Sequence, residues 1–166
     1  MSLQSVREFL AKHAADIEIL QKDTSTATVA EAAQAFGVVP GQIAKTLSLW
    51  CNDEVILVIL SGQAKVNNQK FKSQFKTKAK FLSAEEVVEW TSHPVGGVCP
   101  FGLPHPLQIY VDISLKQFDV VLPAAGATNA ALQLTPDRLA ELTYATWVDV
   151  ASDEYCESVP STIVQK

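Results

Sequence analysis

A lysine stands alone in the run Gly41-Gln42-Ile43-Ala44-Lys45-Thr46-Leu47-Ser48-Leu49-Trp50, whose residues otherwise suit the core of a sheet. An ammonium in such surroundings costs free energy unless it is paired or used. Lys45 therefore either snorkels from a strand end to solvent or donates to a carbonyl or phosphate oxygen. A second segment, Gly96-Gly97-Val98-Cys99-Pro100-Phe101-Gly102, has the composition of a tight turn. Small residues let the backbone approach a ligand, and N–H groups pointing into a cavity suit an anion or a developing oxyanion. Such glycine-proline loops also serve simply as turns. Cys99 lies in this loop between His93 and His105. A thiolate attacks esters well beside an imidazole, so Cys99 is a candidate nucleophile, although its proline-rich flanks suit a plain loop residue. The spacing His-x5-Cys-x5-His matches no usual ligand set, and neither a metal nor a cofactor is expected.

Charge adds a third feature. Lys65, Lys70, Lys72, Lys76, Lys78 and Lys80 fall together with no acidic residue between them, on a chain of net charge −5. The strip is either a solvated face or a surface for phosphates.

These residues need a scaffold. The 166 residues, 48% hydrophobic and 19% charged, suit one domain with one core, expected over residues 1–151, followed by a polar tail over 152–166. The longest apolar run, Val55 to Leu60, is far too short to span a membrane, and the opening residues lack the pattern of a signal peptide. Cys51, Cys99 and Cys156 show no CxxC spacing, so a cytoplasmic protein without a disulfide framework is expected.

Val6, Phe9, Leu10 and His13 recur at helical spacing, and a short strand is expected at Ile17 to Leu20. Thr28 with Glu31 forms a capping-box signature for a helix from Val29 to Phe36, stopped by Gly37. Strands at Ile43 to Trp50 and Val55 to Leu60 flank a turn at Cys51 to Glu54. A helix is expected from Asn67 to Phe75, a brief strand at Ala79 to Leu82, and a helix from a second capping box at Ser83 to near Trp90. Thr91 to Pro106 is aperiodic and rich in proline and glycine, a loop long enough to suggest function. Further strands are expected at Gln108 to Ile113, Val120 to Leu122, Ala130 to Leu134 and Thr146 to Val150, with a helix from Pro136 to Leu142. Hairpins mixed with helices point to an α+β fold with a mixed or antiparallel sheet.

The order of short motifs resembles the YbaK/ProX aminoacyl-tRNA editing family. The pieces are Glu31-Ala32-Ala33, Gly37-Val38-Val39-Pro40, Lys45-Thr46-Leu47, Ser61-Gly62-Gln63, Gly96 to Gly102, Tyr110-Val111-Asp112, Ala124-Ala125-Gly126 and Leu134 to Leu139. The resemblance implies one domain with a mixed, mostly antiparallel, barrel-like sheet and surrounding helices, similar to the insertion domain of bacterial prolyl-tRNA synthetases. It implies trans-editing: hydrolysis of the ester of mischarged tRNA, proline tRNA carrying cysteine, alanine or another small amino acid. Aminoacyl-tRNA is then the partner, with prolyl-tRNA synthetase as a second one. By the same resemblance Lys45 holds the substrate near its terminal adenosine and ester, and the loop at Gly96, Gly97, Val98, Cys99 and Pro100 supplies backbone donors. The attacking group often belongs to the substrate. By position in the pattern, Thr24, Thr26, Thr46, Asn67, Gly126 and Asn129 are expected to line the amino-acid pocket. Lys65, Lys70, Lys72 and Lys76 are expected to meet acceptor-stem phosphates, on charge alone. The alternative is a non-catalytic module that binds tRNA or a synthetase through the same surface.

Overall fold

The structure is a computed structural model that describes residues 2–152, so the expected tail falls almost wholly outside the described residues. Helix α1 (Ser2–His13) leads to β1 (Leu20–Gln21) and α2 (Val29–Phe36). The capping box at Thr28 and Glu31 is formed, and Gly37 closes α2 at a φ of 70°. A 3-10 turn at Pro40–Gln42 then delivers the chain into β2 (Ile43–Cys51), which returns through Asn52 as β3 (Glu54–Ser61). After α3 (Asn68–Phe75), β4 (Lys80–Phe81) and α4 (Ala84–Thr91) comes the long loop, and then β5 (Gln108–Asp112). Short strands β6 (Leu122–Pro123) and β7 (Ala130–Ala131), helix α5 (Pro136–Thr143) and β8 (Thr146–Val148) complete the domain.

The main sheet runs β4-β2-β3-β5-β8, with β6 also paired to β2. It is a mixed sheet in an α+β domain. The β2–β3 hairpin and the β2–β4 pairing are antiparallel, whereas β6, β5 and β8 join in parallel. The sheet does not close into a barrel. Near the N-terminus the expected strand at Ile17 to Leu20 is displaced to Leu20–Gln21, because its partner is the two-residue β7. The longer strand expected over Ala130 to Leu134 breaks up for the same reason: beyond β7 it continues, among the described residues, through the Leu132 N–H bond to Pro123 O and the isolated bridge of Leu134 to Val121. Ile113 leaves β5 for a 3-10 turn over Ile113–Gln117, held by Asp112, and β8 stops at Val148.

The outer edge of β2 is only partly covered. β6 pairs with it at Ile43 and Ala44, and β4 pairs with it at Leu49 and Trp50. Among the described residues, no strand covers the edge between them. Side chains alternate along β2, so Thr46 and Ser48 share a face with Ala44, while Lys45 and Leu47 face the other way. The first face meets the largest core cluster, in which Val6, Leu10, Leu57, Ile59, Phe101 and Leu139 join α1, the long loop and α5. The second face buries Leu49, Val58 and Leu60 against Phe71 of α3. Among the described residues, no helix is long and apolar enough to cross a membrane.

A buried polar chain ties the ends of the strands together. Asp112, fully buried, accepts the N–H of Ser114 at 2.9 Å and of Val150 at 2.8 Å. The Ser114 hydroxyl in turn accepts the N–H of Ser61, whose own hydroxyl donates to the Gly41 carbonyl at 2.7 Å. This fixes both ends of the β2–β3 hairpin, and with them the residues next to Lys45. Asp112→Ala orphans two buried N–H groups and should destabilise the fold by about 3 kcal/mol, with Asp112→Asn losing less, as read from urea unfolding.

Candidate active site

A cavity of about 450 Å³ opens at the uncovered edge of β2. Residues from both faces of the strand line it, Lys45 and Leu47 as well as Thr46 and Ser48, because the cavity wraps around that edge. Thr26 to Val29, at the start of α2, form one wall. Phe81 and Leu82 of β4 with Ala84 and Val87 of α4 form another, and the loop residues Val95, Gly96 and Val98 complete it.

Lys45 sits half-buried, and its Nζ donates to the carbonyl of Gly62 at 3.3 Å. Burial pushes its pKa down, and the neighbouring charge of Lys65 pushes the same way. The ammonium is thus anchored by a neutral carbonyl rather than by a carboxylate. A carbonyl fixes its position without neutralising it, which leaves the charge available to a ligand.

The glycine loop is wedged in place. Gly96 adopts a φ of 91°, and a Cβ there would come within 2.8 Å of Ala27 Cβ. At Gly97 a Cβ would meet the backbone of Ala127 at 2.9 Å, so only glycine allows this approach. Gly97 N–H donates to Pro94 O at 2.8 Å, and Gly97 O accepts from Gly126 N at 3.0 Å. Gly97 is therefore a positioning residue, its N–H used within the turn. Among the described residues no protein acceptor takes the N–H of Gly96 or Val98, and both residues line the cavity.

Of the residues singled out from the sequence, the fold brings Lys45, Thr26, Thr46, Gly96 and Val98 to this cavity. Others take structural posts. Thr24 is exposed, outside the cavity lining, and Asn67 caps α3 by accepting the N–H of Lys70 at 3.0 Å. Asn129 donates to the carbonyl of Lys22, and Gly126 holds Gly97 from behind. Pro100 lines a separate groove beside α1 and α5. Lys70 pairs with Asp149 at 3.0 Å, whereas Lys65, Lys72 and Lys76 are exposed, Lys76 as the left-handed cap of α3.

Cys99 is fully buried, with its Sγ 3.6 Å from His93 Nε2. His93, equally buried, uses Nε2 to donate to Phe101 O at 2.8 Å. Burial pushes the Cys99 thiol up to about 12, so almost no thiolate forms at neutral pH. Neither residue lines the cavity, and His105 stands apart against Trp90. The nucleophile reading of Cys99 fails on access and on protonation state. The pair instead closes the loop from beneath.

Sequence reasoning missed Ser48, Phe81, Leu82, Val87 and Val95 as lining residues. Ser48 carried a signal, since it shares a strand face with Thr46 two residues earlier. The rest arrive through the β2–β4 pairing and the course of the long loop, which no local pattern encodes.

Fold and site define a small α+β domain in which one cavity is lined by a cation and by residues whose backbone donors are unpaired among the described residues, an inventory suited to a carbonyl or an anion. The model of the aminoacyl-tRNA editing domain matches residues 23–142, and the chain belongs to that family. It is 44% identical over 155 residues to the uncharacterized protein YwhH of Bacillus subtilis, covering 92% of this chain and 99% of that one. It is 31% identical over 132 residues to the proline–tRNA ligase of Bacillus licheniformis, covering 78% of this chain but 23% of the ligase. A solved structure described as a candidate trans-editing enzyme for prolyl tRNA synthetase superposes with a TM-score of 0.85 at 31% identity, over 91% of this chain and 97% of that one.

Three outcomes test this arrangement of Cys99 and Lys45. In the native protein Cys99 should resist alkylation by iodoacetamide, as read by peptide mass spectrometry, and react once the chain is unfolded. Lys45→Met should stay within about 1 kcal/mol of the parent in urea unfolding. The folded pKa of Lys45 lies below its unfolded value, so the charged form is disfavoured by folding. Relative to Lys45→Met, the parent should therefore gain stability as pH rises toward the ordinary lysine range.

Proposed function

We propose that this chain is a trans-editing deacylase that hydrolyses the ester of mischarged tRNA, with proline tRNA carrying cysteine, alanine or another small amino acid as substrate. The observation that carries the reading is the convergence of Lys45, Gly96 and Val98 on one small cavity, with no acceptor among the described residues for the N–H groups of the last two. Membership of the editing family and kinship with part of a proline–tRNA ligase support it.

In this reading the Lys45 ammonium binds an oxygen of the terminal ribose or the ester, and the two N–H groups receive the carbonyl oxygen as it gains charge. An aminoacyl ester is already activated, so positioning and an oxyanion site suffice without a protein nucleophile. The nucleophile is a water oriented by a ribose hydroxyl, or the thiol of a cysteinyl substrate. In the latter case a C–S bond forms, the ester C–O bond breaks, the thiol proton passes to the ribose oxygen, and water then opens the cyclic thioester. With water, the new C–O bond forms, the ester C–O bond breaks, and a proton passes to the departing ribose oxygen. The reaction belongs in the cytoplasm, where tRNA is charged, and prolyl-tRNA synthetase is the candidate companion.

Lys65, close enough to perturb Lys45, lies just before α3, and Lys72 and Lys76 continue along that helix. Lys80 lies on β4 beside Phe81 at the cavity. The strip thus leads to the site, where it would meet acceptor-stem phosphates.

The experiment is release of amino acid from proline tRNA charged with alanine, cysteine or serine. Lys45→Ala should slow release by on the order of 10²-fold or more. No Lys45-dependent release from any of them would reduce the chain to a binding module. Changing Lys72 and Lys76 together to Glu should weaken tRNA binding and lower its log–log salt slope by about 2, while free adenosine analogues bind as before.

A further inference from the structure

Two side-chain oxygens on the cavity wall, Thr46 Oγ1 and Ser48 Oγ, have no hydrogen-bond partner among the described residues. Ser48 is only 7% exposed. Buried hydroxyls in folded proteins are nearly always paired, so each exception asks for a cause. Local structure offers none here. Thr46 and Ser48 lie opposite Ile59 and Leu57 on β3, which have no polar side-chain atoms to offer. Leu82, whose N–H meets the Ser48 carbonyl, and Val87 and Val98, which pack with it, are further lining residues and equally apolar. The partner within reach is then what the cavity holds, water when it is empty of ligand and the ligand when it is filled. Thr46 is β-branched and stiff at χ1, whereas the Ser48 Oγ changes direction by rotation about one bond.

We infer that Ser48, assisted by Thr46, reads the side chain of the bound aminoacyl group, selecting a small residue with a hydroxyl or thiol over alanine. The apolar neighbours accept its methylene, and the serine hydroxyl, both donor and acceptor, pairs with its polar end. Discrimination of this kind is stronger than discrimination by size, because the analogue lacking the polar group leaves the protein hydroxyl unpaired. The inference rests on the editing reading for the identity of the ligand, but it concerns binding rather than the chemical step.

The test therefore measures binding and hydrolysis separately. Adenosine analogues carrying serine, cysteine or alanine through a stable 3′-amide are titrated calorimetrically into the full-length parent, Ser48→Ala and Thr46→Val. The parent should bind the seryl and cysteinyl analogues about 10-fold or more tightly than the alanyl one. Ser48→Ala should collapse that ratio by weakening the first two alone, and Thr46→Val should reduce it. Removing an unpartnered hydroxyl should leave the melting temperature of Ser48→Ala equal to or above the parent's, whereas a hydroxyl that braces the fold would lower it. Equal or absent binding of all three analogues by the parent, or a ratio indifferent to Ser48→Ala, overturns the inference. A preference that follows Ser48 without hydrolysis of any charged tRNA upholds it and sinks only the deacylase.

Discussion

The outer edge of β2 is covered at its two ends and bare in its middle, and the site depends on that interruption. Ser48 O accepts from Leu82 N at 3.2 Å, so this carbonyl points outward, toward β4. By alternation the N–H and C=O of Thr46 point the same way, where no strand of the described residues meets them. A continuous neighbour would have filled the cavity and satisfied those groups. Because β6 and β4 are only two residues long, a stretch of strand edge instead becomes wall, and residues from both faces of β2 reach one cavity. An edge of this kind is normally a liability for association, and here it is enclosed by α4, the start of α2 and the glycine loop.

The remaining parts hold that wall still. Asp112, Ser114, Ser61 and Gly41 form a chain of hydrogen bonds from Val150, just past β8, to the entrance of β2, and Lys45 is moored to the residue after Ser61. Buried polar groups that are fully paired specify one arrangement more sharply than apolar contact does. The glycine loop is set by a different means, steric fit: Gly96 against Ala27 and Gly97 against Ala127 leave no room for a Cβ. Rigid backing holds Gly96 and Val98 at the cavity wall, and fixed positions are a condition for stabilising charge without reorganisation.

The titratable groups divide by environment. Lys45 remains beside the cavity with a neutral anchor, whereas Cys99 and His93 are removed from it and bonded to the loop's own backbone. A thiol and an imidazole 3.6 Å apart look like a catalytic pair on distance alone. Burial decides otherwise, since desolvation disfavours the thiolate on which reactivity depends.

Much of this was legible from residue order. Capping boxes at Thr28 and Ser83, the β2–β3 hairpin and the helices at Pro136 and after Asn67 obey local rules, so their residues alone announce them. Lys45 and the glycine loop stood out because an isolated charge and clustered glycines are costly without a reason. What the sequence alone determined is therefore most of the elements, the family and two candidate anchors, Lys45 and the glycine loop. The tertiary structure decided which residues share the cavity. It brought Ser48, Phe81 and Val87 to Lys45, withdrew Cys99 from it, and gave Asn67 and Asn129 to capping and bracing. The sheet's openness and the two-residue strands β1 and β7 belong with those decisions. The reason is that pairing of strand edges and exclusion of solvent are nonlocal: each depends on a partner distant in the chain, which neither periodicity nor propensity records.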